Sequence, residues 1–195
     1  MARGRPRTFD EHLALTRALE IFWRKGYAGA SLEELTTAMG INRPSLYAAF
    51  GNKEALFRRA LDHYERGPAG YFAAALAEPA ARAAIERLLR ESVAVVTGGR
   101  TPRGCLLVQG ALSCGAASDA VRRELIRRRA TGEARIRKRL KRAQAEGELP
   151  AGENVADLAR YFATVLHGMA VEATSGATRP QLLRLARTAM RAWPA

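Results

Sequence analysis

Apolar residues in this chain recur every three or four positions, and few segments alternate with the two-residue period of a strand. Such spacing gathers apolar side chains on one face of a helix, so the pattern predicts an all-α protein. In residues 10–25, Leu15, Ala18, Leu19 and Phe22 share a face and Gly26 supplies a stop. Two short helices follow, over 32–39 and 43–49. A longer helix begins at Lys53 and meets Gly67-Pro68-Ala69-Gly70. Proline removes a backbone donor and crowds the preceding turn, so a kink or break is expected there. Further helices are read over 82–97, about 104–115, 119–145, 153–174 and 179–192, about nine in all. The natural division is a small N-terminal unit, 1–52, and a larger helical unit, 53–195.

The most informative stretch is SLEELTTAMGINRPSLYAAFGNKEAL, residues 31–56. Ser31 followed by Glu34 makes a capping box. Leu32, Leu35 and Met39 give the first short helix one apolar face, and Gly40 ends it. Asn42 can cap the second, with Pro44 in its first turn, where a missing donor costs little. Ile41 and Leu46 occupy the positions of a hydrophobic staple. Two short helices joined by a tight glycine turn make a helix-turn-helix, and helix 10–25 supplies the third wall of its core. Leu46 and Phe50 face inward. The outward arc is then Pro44, Ser45 and Ala48, flanked by Tyr47 and Ala49. Small residues let a helix lie deep in a DNA major groove, and Arg43 projects at the end where such helices meet base edges. Lys53 opens the next helix, where the dipole disfavours a cation and a bound phosphate would offset it.

These residues resemble the DNA-binding domain of tetracycline-repressor-type (TetR-family) regulators. The resemblance covers residues 10–57, about a quarter of the chain. It rests on Gly26-Tyr27, Ser31, Gly40-Ile41, Ser45-Leu46-Tyr47, Phe50 and Lys53-Glu54-Ala55-Leu56. It implies an N-terminal three-helix DNA-binding domain and a C-terminal helical domain for ligand binding and dimerisation. It also implies a homodimer formed by the last two helices, a small-molecule pocket in the middle helices, and repression relieved by ligand. Tyr47 and Lys53 would touch phosphates of the double-stranded operator, with Arg43, Pro44 and Ser45 nearest the bases; Ser31 and Ala48 complete the DNA-facing set. Pro44 departs from the small or polar residue that many members carry, which leaves base preference at that position open.

Charge adds two features. The formal net charge is +13, and residues 121–142 carry 11 Lys and Arg against 2 Asp and Glu. That run reads first as the solvated face of a long helix, with Val121, Leu125, Ile126, Ile136 and Leu140 as its apolar side. A second nucleic-acid contact is the alternative. At the start, Arg3, Arg5 and Arg7 flank Gly4 and Pro6. Arg-Gly-Arg-Pro resembles an AT-hook core, and directly before a helix-turn-helix it reads as a minor-groove arm rather than a tail that only adds charge.

The rest of the chain says less. Helices 153–174 and 179–192 are apolar over wide arcs. Given the resemblance, Phe162, Leu166, Met169, Leu182, Leu185 and Ala189 are candidates for the dimer interface, the plain alternative being the subunit's own core. Tyr71, Cys105, Gln109 and His167 are polar groups in apolar stretches, as ligand orientation in a cavity requires. Cys105 falls at a helix start beside Arg103, two features that lower a thiol's pKa, and some members of the family with a Gly-Cys-Leu stretch there sense electrophiles or oxidants; a buried, inert cysteine is the plainer reading. Cys105 and Cys114 are nine apart, no metal-ligand spacing, and His12, His63 and His167 form no metal pair. No phosphate-binding glycine loop or nucleophile elbow is present, so neither an enzyme nor a cofactor is expected. The start lacks the apolar core of a signal peptide, and no apolar run approaches the roughly 18 residues of a membrane span. The expectation is a cytoplasmic, dimeric, ligand-released repressor. A nucleoid-type protein binding DNA with little specificity and no effector is the alternative.

Overall fold

A computed structural model of the 195-residue chain describes residues 9–99, 101–112 and 119–194. Arg3, Arg5, Arg7 and Cys114 lie outside the described residues. Ten α-helices follow in order: α1 (Glu11–Gly29), α2 (Leu32–Met39), α3 (Arg43–Phe50), α4 (Lys53–Arg66), α5 (Tyr71–Leu76), α6 (Ala81–Val96), α7 (Leu106–Leu112), α8 (Asp119–Ala145), α9 (Val155–Thr174) and α10 (Arg179–Ala189). A 3₁₀ turn, Met190–Ala192, ends the series, and no strand occurs among the described residues. The helix beyond the expected nine is α5, which re-forms after the Gly67–Gly70 break.

Local chemistry accounts for most boundaries. Asp10 caps α1 by accepting from the backbone of His12 and Leu13. Gly26, at φ 67°, breaks α1 before its last residues, a conformation that favours glycine. Asn52 caps α4 through the Ala55 amide, and Asn154 caps α9 through those of Ala156 and Asp157. Thr178 and Gln181 close a reciprocal box at the start of α10, with Pro180 in its first turn.

Two apolar clusters hold these helices. The first joins Phe22 and Trp23 of α1, Leu35 of α2, Leu46 and Phe50 of α3, and Leu56, Phe57, Leu61 and Tyr64 of α4. It also takes in Leu106 of α7 and Val121 and Leu125 of α8. The apolar packing therefore does not part at residues 52 and 53: all of α4 is built into the N-terminal core. The second cluster joins α6, α9, α10 and the C-terminal half of α8 around Leu88, Leu89, Ile136, Leu140 and Phe162.

That second cluster takes in much of the last two helices. Phe162, Met169, Leu182 and Ala189 are buried in the subunit's own core and offer no surface to a second copy. Much of the apolar arc of α9 packs on α6 and α8, and that of α10 on α6 and α9. Leu166 is half-buried against the same core, and only Leu185 of the six is exposed, at 40 %. The basic run on α8 is also more committed than its sequence suggests. Asp119 pairs with Arg122 and Arg123, and Glu124 with Arg127 and Arg128. Arg139 is buried, donating to the carbonyls of Glu78 and Pro79 and to Glu148. Ile126, read as part of the apolar side, is exposed.

Phe57 meets Phe22 edge-on at 4.9 Å between ring centroids and Tyr27 at 5.3 Å. Phe57→Ala is expected to cost about 3–5 kcal/mol in urea denaturation, the range for a buried phenylalanine; a cost below about 1 kcal/mol would contradict this packing.

Candidate nucleic-acid interface and cavity

The helix-turn-helix is built from caps inward. Ser31 Oγ accepts from the Glu34 amide at 3.1 Å, and Glu34 Oε2 accepts from the Ser31 amide at 3.1 Å. Lys25 pairs with the same carboxylate. Hydrogen bonds from Lys25 first, and from Ser31, hold the Glu34 carboxyl down to about 2. Gly40, at φ 69°, turns the chain between the helices, and the Ile41 amide returns to the Thr36 carbonyl at 3.0 Å. Asn42 Oδ1 accepts from the Ser45 amide at 2.9 Å to start α3. Leu46 and Phe50 are buried behind it.

The outward face of α3 is as the helical spacing requires. Arg43, Pro44, Tyr47 and Ala48 are exposed and Ser45 is half-buried. Tyr47, 47 % exposed, is a large ring held in solvent on a helix whose other side is fully packed. Ser31 is exposed, with its hydroxyl engaged by Glu34. Lys53 behaves differently from the sequence argument. Its ammonium lies over the Tyr27 ring, 4.5 Å from the centroid. Partial burial lowers its pKa. The aromatic face offsets the poor position at a helix start, a partner that sequence spacing does not reveal. Arg59 secures α3 from behind: it lies over the Phe50 ring, donates to the Ala49 carbonyl and pairs with Glu11 of α1.

A cavity of about 120 Å³ lies farther along α4, walled by α4 to α9. Tyr71, Cys105 and His167 line it, so three of the four expected polar groups converge there. Gln109 does not line it. Its amide sits beneath Gly104, where an added Cβ would fall 2.6 Å from Nε2. Phe72, Val96, Val108 and Leu166 supply apolar wall, and Arg128 and Arg129 supply charge. Sequence reading missed the arginines, because their run resembled a solvated helix face.

At Cys105 burial outweighs the local features. Arg103 turns away from it, donating to the carbonyls of Ala173 and Ala177 at 2.8 and 2.6 Å. Burial is the dominant influence and pushes the Cys105 thiol up, opposed by smaller effects that include the Tyr64 hydroxyl, which donates to Sγ at 3.4 Å. The thiol is therefore held protonated rather than poised as thiolate. Tyr64 in turn meets the Trp23 ring of α1 edge-on at 4.8 Å, and Trp23 Nε1 donates to the Gly104 carbonyl at 3.2 Å. A closed ring of contacts thus joins α1, α4 and the segment entering α7. Among the described residues no cluster of His, Cys, Asp or Glu could hold a metal ion, and no helix is long and apolar enough to cross a membrane.

A capped helix-turn-helix with an exposed small-residue face, continuous in its core with a helical unit that holds a cavity, defines a DNA-binding regulator with an attached helical domain. Residues 14–60 match the family of bacterial regulatory proteins of the tetR type, and residues 81–190 match the tetracyclin-repressor-like C-terminal domain. The chain is 35 % identical over 198 residues to the HTH-type transcriptional repressor ComR of Escherichia coli K12, covering 99 % of this chain and 93 % of that one. It superposes with TM-score 0.94 and 46 % identity on a cysteine-substituted variant of the TetR-family regulator CifR, solved with a 26-base-pair double-stranded operator, covering 97 % of this chain and all of that one. A TetR-type regulator from Rhodococcus sp. RHA1 matches with TM-score 0.64 and 39 % identity, covering 95 % and 99 %. The chain belongs to the TetR family of transcriptional regulators.

With Cys114 replaced by serine, the rate at which Cys105 reacts with a thiol reagent should keep rising with pH beyond the ordinary thiol range, because burial raises its pKa. A rate that levels off near neutral pH would show a thiolate and contradict the burial argument.

Proposed function

We propose that the protein is a cytoplasmic, homodimeric repressor released from a near-palindromic operator by a small molecule bound in the α4–α9 cavity. The observation that carries the reading is the position of Tyr64. It lines the cavity and packs directly against Trp23 in the core of the helix-turn-helix. A ligand that displaces α4 would move the DNA-binding unit with it, and the Gly67–Gly70 break is where the displacement can be absorbed. Two recognition helices then lose the spacing that matches successive major grooves, about 34 Å or a multiple of it. Dimerisation would use what α9 and α10 leave exposed, including Tyr161, Val171 and Leu185.

Arg43, Pro44, Ser45 and Ala48 would meet the groove, Tyr47, Lys53 and Ser31 the flanking backbone, and Arg3, Arg5 and Arg7 the minor groove. The nucleoid-type alternative has less support, because several of the α8 cations that would serve it are paired within the subunit.

Footprinting on the DNA around its own gene tests the reading. One short, near-palindromic protected site is expected; broad protection without a boundary would favour the nucleoid-type protein. On that site Arg43→Ala should cost about 1–3 kcal/mol and relax base preference, whereas Lys53→Gln should weaken binding evenly and reduce the salt slope by about one. Unchanged binding by both variants would remove α3 and the start of α4 from the interface.

A further inference from the structure

The three successive arginines of α8 are treated very differently by the fold. Arg127 pairs with Glu124. Arg128 pairs with Glu124, Asp62 and Glu65, each at 2.6 Å. Arg129, half-buried at the cavity, has no carboxylate oxygen within 4 Å among the described residues; its one contact is a long hydrogen bond to the Leu107 carbonyl at 3.4 Å. Glu133, one turn along and also lining the cavity, is engaged by Arg160 of α9. Arg135, the remaining cation of the wall, is exposed and lies over the Phe72 ring.

A guanidinium withdrawn from water without a counter-ion is costly, and the usual resolution is a paired anion. Arg129 is close enough to Cys105 and His167 for its charge to disfavour the protonated imidazole and favour the thiolate. Burial, the larger influence on His167, also lowers its pKa, so the ring is neutral near pH 7 and can donate or accept one hydrogen bond. The rest of the wall is largely apolar, with Phe72, Val96, Val108 and Leu166. The free volume of about 120 Å³ admits a small molecule and not a drug-sized one.

We infer that the cavity takes a compact monoanion with an apolar body, a small carboxylic acid in its ionised form, whose carboxylate is gripped by Arg129 and whose body lies against Phe72, Val96 and Leu166. The inference rests on the cavity being the effector site, and it adds the ligand's charge class. A carboxylate suits the planar fork of arginine, which can hold both oxygens at once. The Arg128 clamp to α4 lies directly beside Arg129, so an anion in the cavity also pulls on the residue that ties α8 to Asp62 and Glu65.

Calorimetric titration of the full chain with butanoate, hexanoate and benzoate, each beside its uncharged amide, tests the ligand class. At least one carboxylate should bind, and its amide at least tenfold more weakly. Arg129→Gln should abolish that preference, and Arg129→Lys, which keeps the charge, should retain part of it. An amide that binds as well as its acid, a series in which no carboxylate binds, or an Arg129→Gln chain that keeps the preference overturns the inference. Operator binding by the ligand-free chain is read in a separate titration: a chain that grips its operator but no carboxylate refutes the ligand class alone, and a chain with no operator refutes the repressor reading.

Discussion

The structure depends most on one helix, α4, being buried on two sides at once. Leu56, Phe57 and Leu61 close the core beneath the recognition helix, and Tyr64, two turns after Phe57, reaches the wall of the cavity. Tyr64 touches Trp23 on one side and Cys105 on the other, while Trp23 holds the carbonyl of Gly104, the residue just before that cysteine. Close-packed interiors deform poorly, so a change at the cavity wall is passed on rather than absorbed locally. The helix has no slack until Gly67, where its hydrogen bonding ends.

Electrostatics reinforce the same connection. Arg128 draws Asp62 and Glu65 of α4 to Glu124 of α8, with the guanidinium and the Glu124 carboxylate largely shielded from water. Hydrogen bonds from Arg127 first, and then from Arg128, hold the Glu124 carboxyl down to about 2. Shielded pairs of this kind are costly to break one partner at a time, because the remaining charge is left without a counter-ion. The large positive charge of the chain is thus partly structural. It fastens α8 to α4 through Arg128.

How much of this could be read beforehand follows from the range of each interaction. The helix-turn-helix was legible in full, because Ser31–Glu34, Gly40, Asn42–Ser45 and the Ile41–Leu46 staple act within a few residues. Helix α8 was likewise read to its observed ends. Long-range choices were not legible. The apolar arcs of α9 and α10 look the same whether they face a partner or their own subunit, and Phe162, Met169, Leu182 and Ala189 are buried where α9 meets α6 and α8 and α10 meets α6 and α9. The rule that a helix start lowers a thiol's pKa is local, whereas the burial that overrides it at Cys105 comes from α4 and α8. Tyr71, Cys105 and His167 converge from three separate segments, and Gln109, next to the wall residue Val108, turns under Gly104 instead. Lys53 was singled out correctly as anomalous, but Tyr27, 26 residues away, supplies part of the reason.

The central claim is that the wall of the cavity and the recognition helix are one mechanical unit joined through Tyr64. Cys105 offers direct access to that wall. In a chain with Cys114 replaced by serine, Cys105 can be alkylated with N-ethylmaleimide by long incubation near neutral pH and a single adduct verified by mass. The bulky adduct must displace Tyr64, and with it Trp23. The account predicts at least tenfold weaker operator binding by the fully alkylated chain than by the unmodified one. A fully alkylated, folded chain that binds operator with unchanged affinity would contradict it.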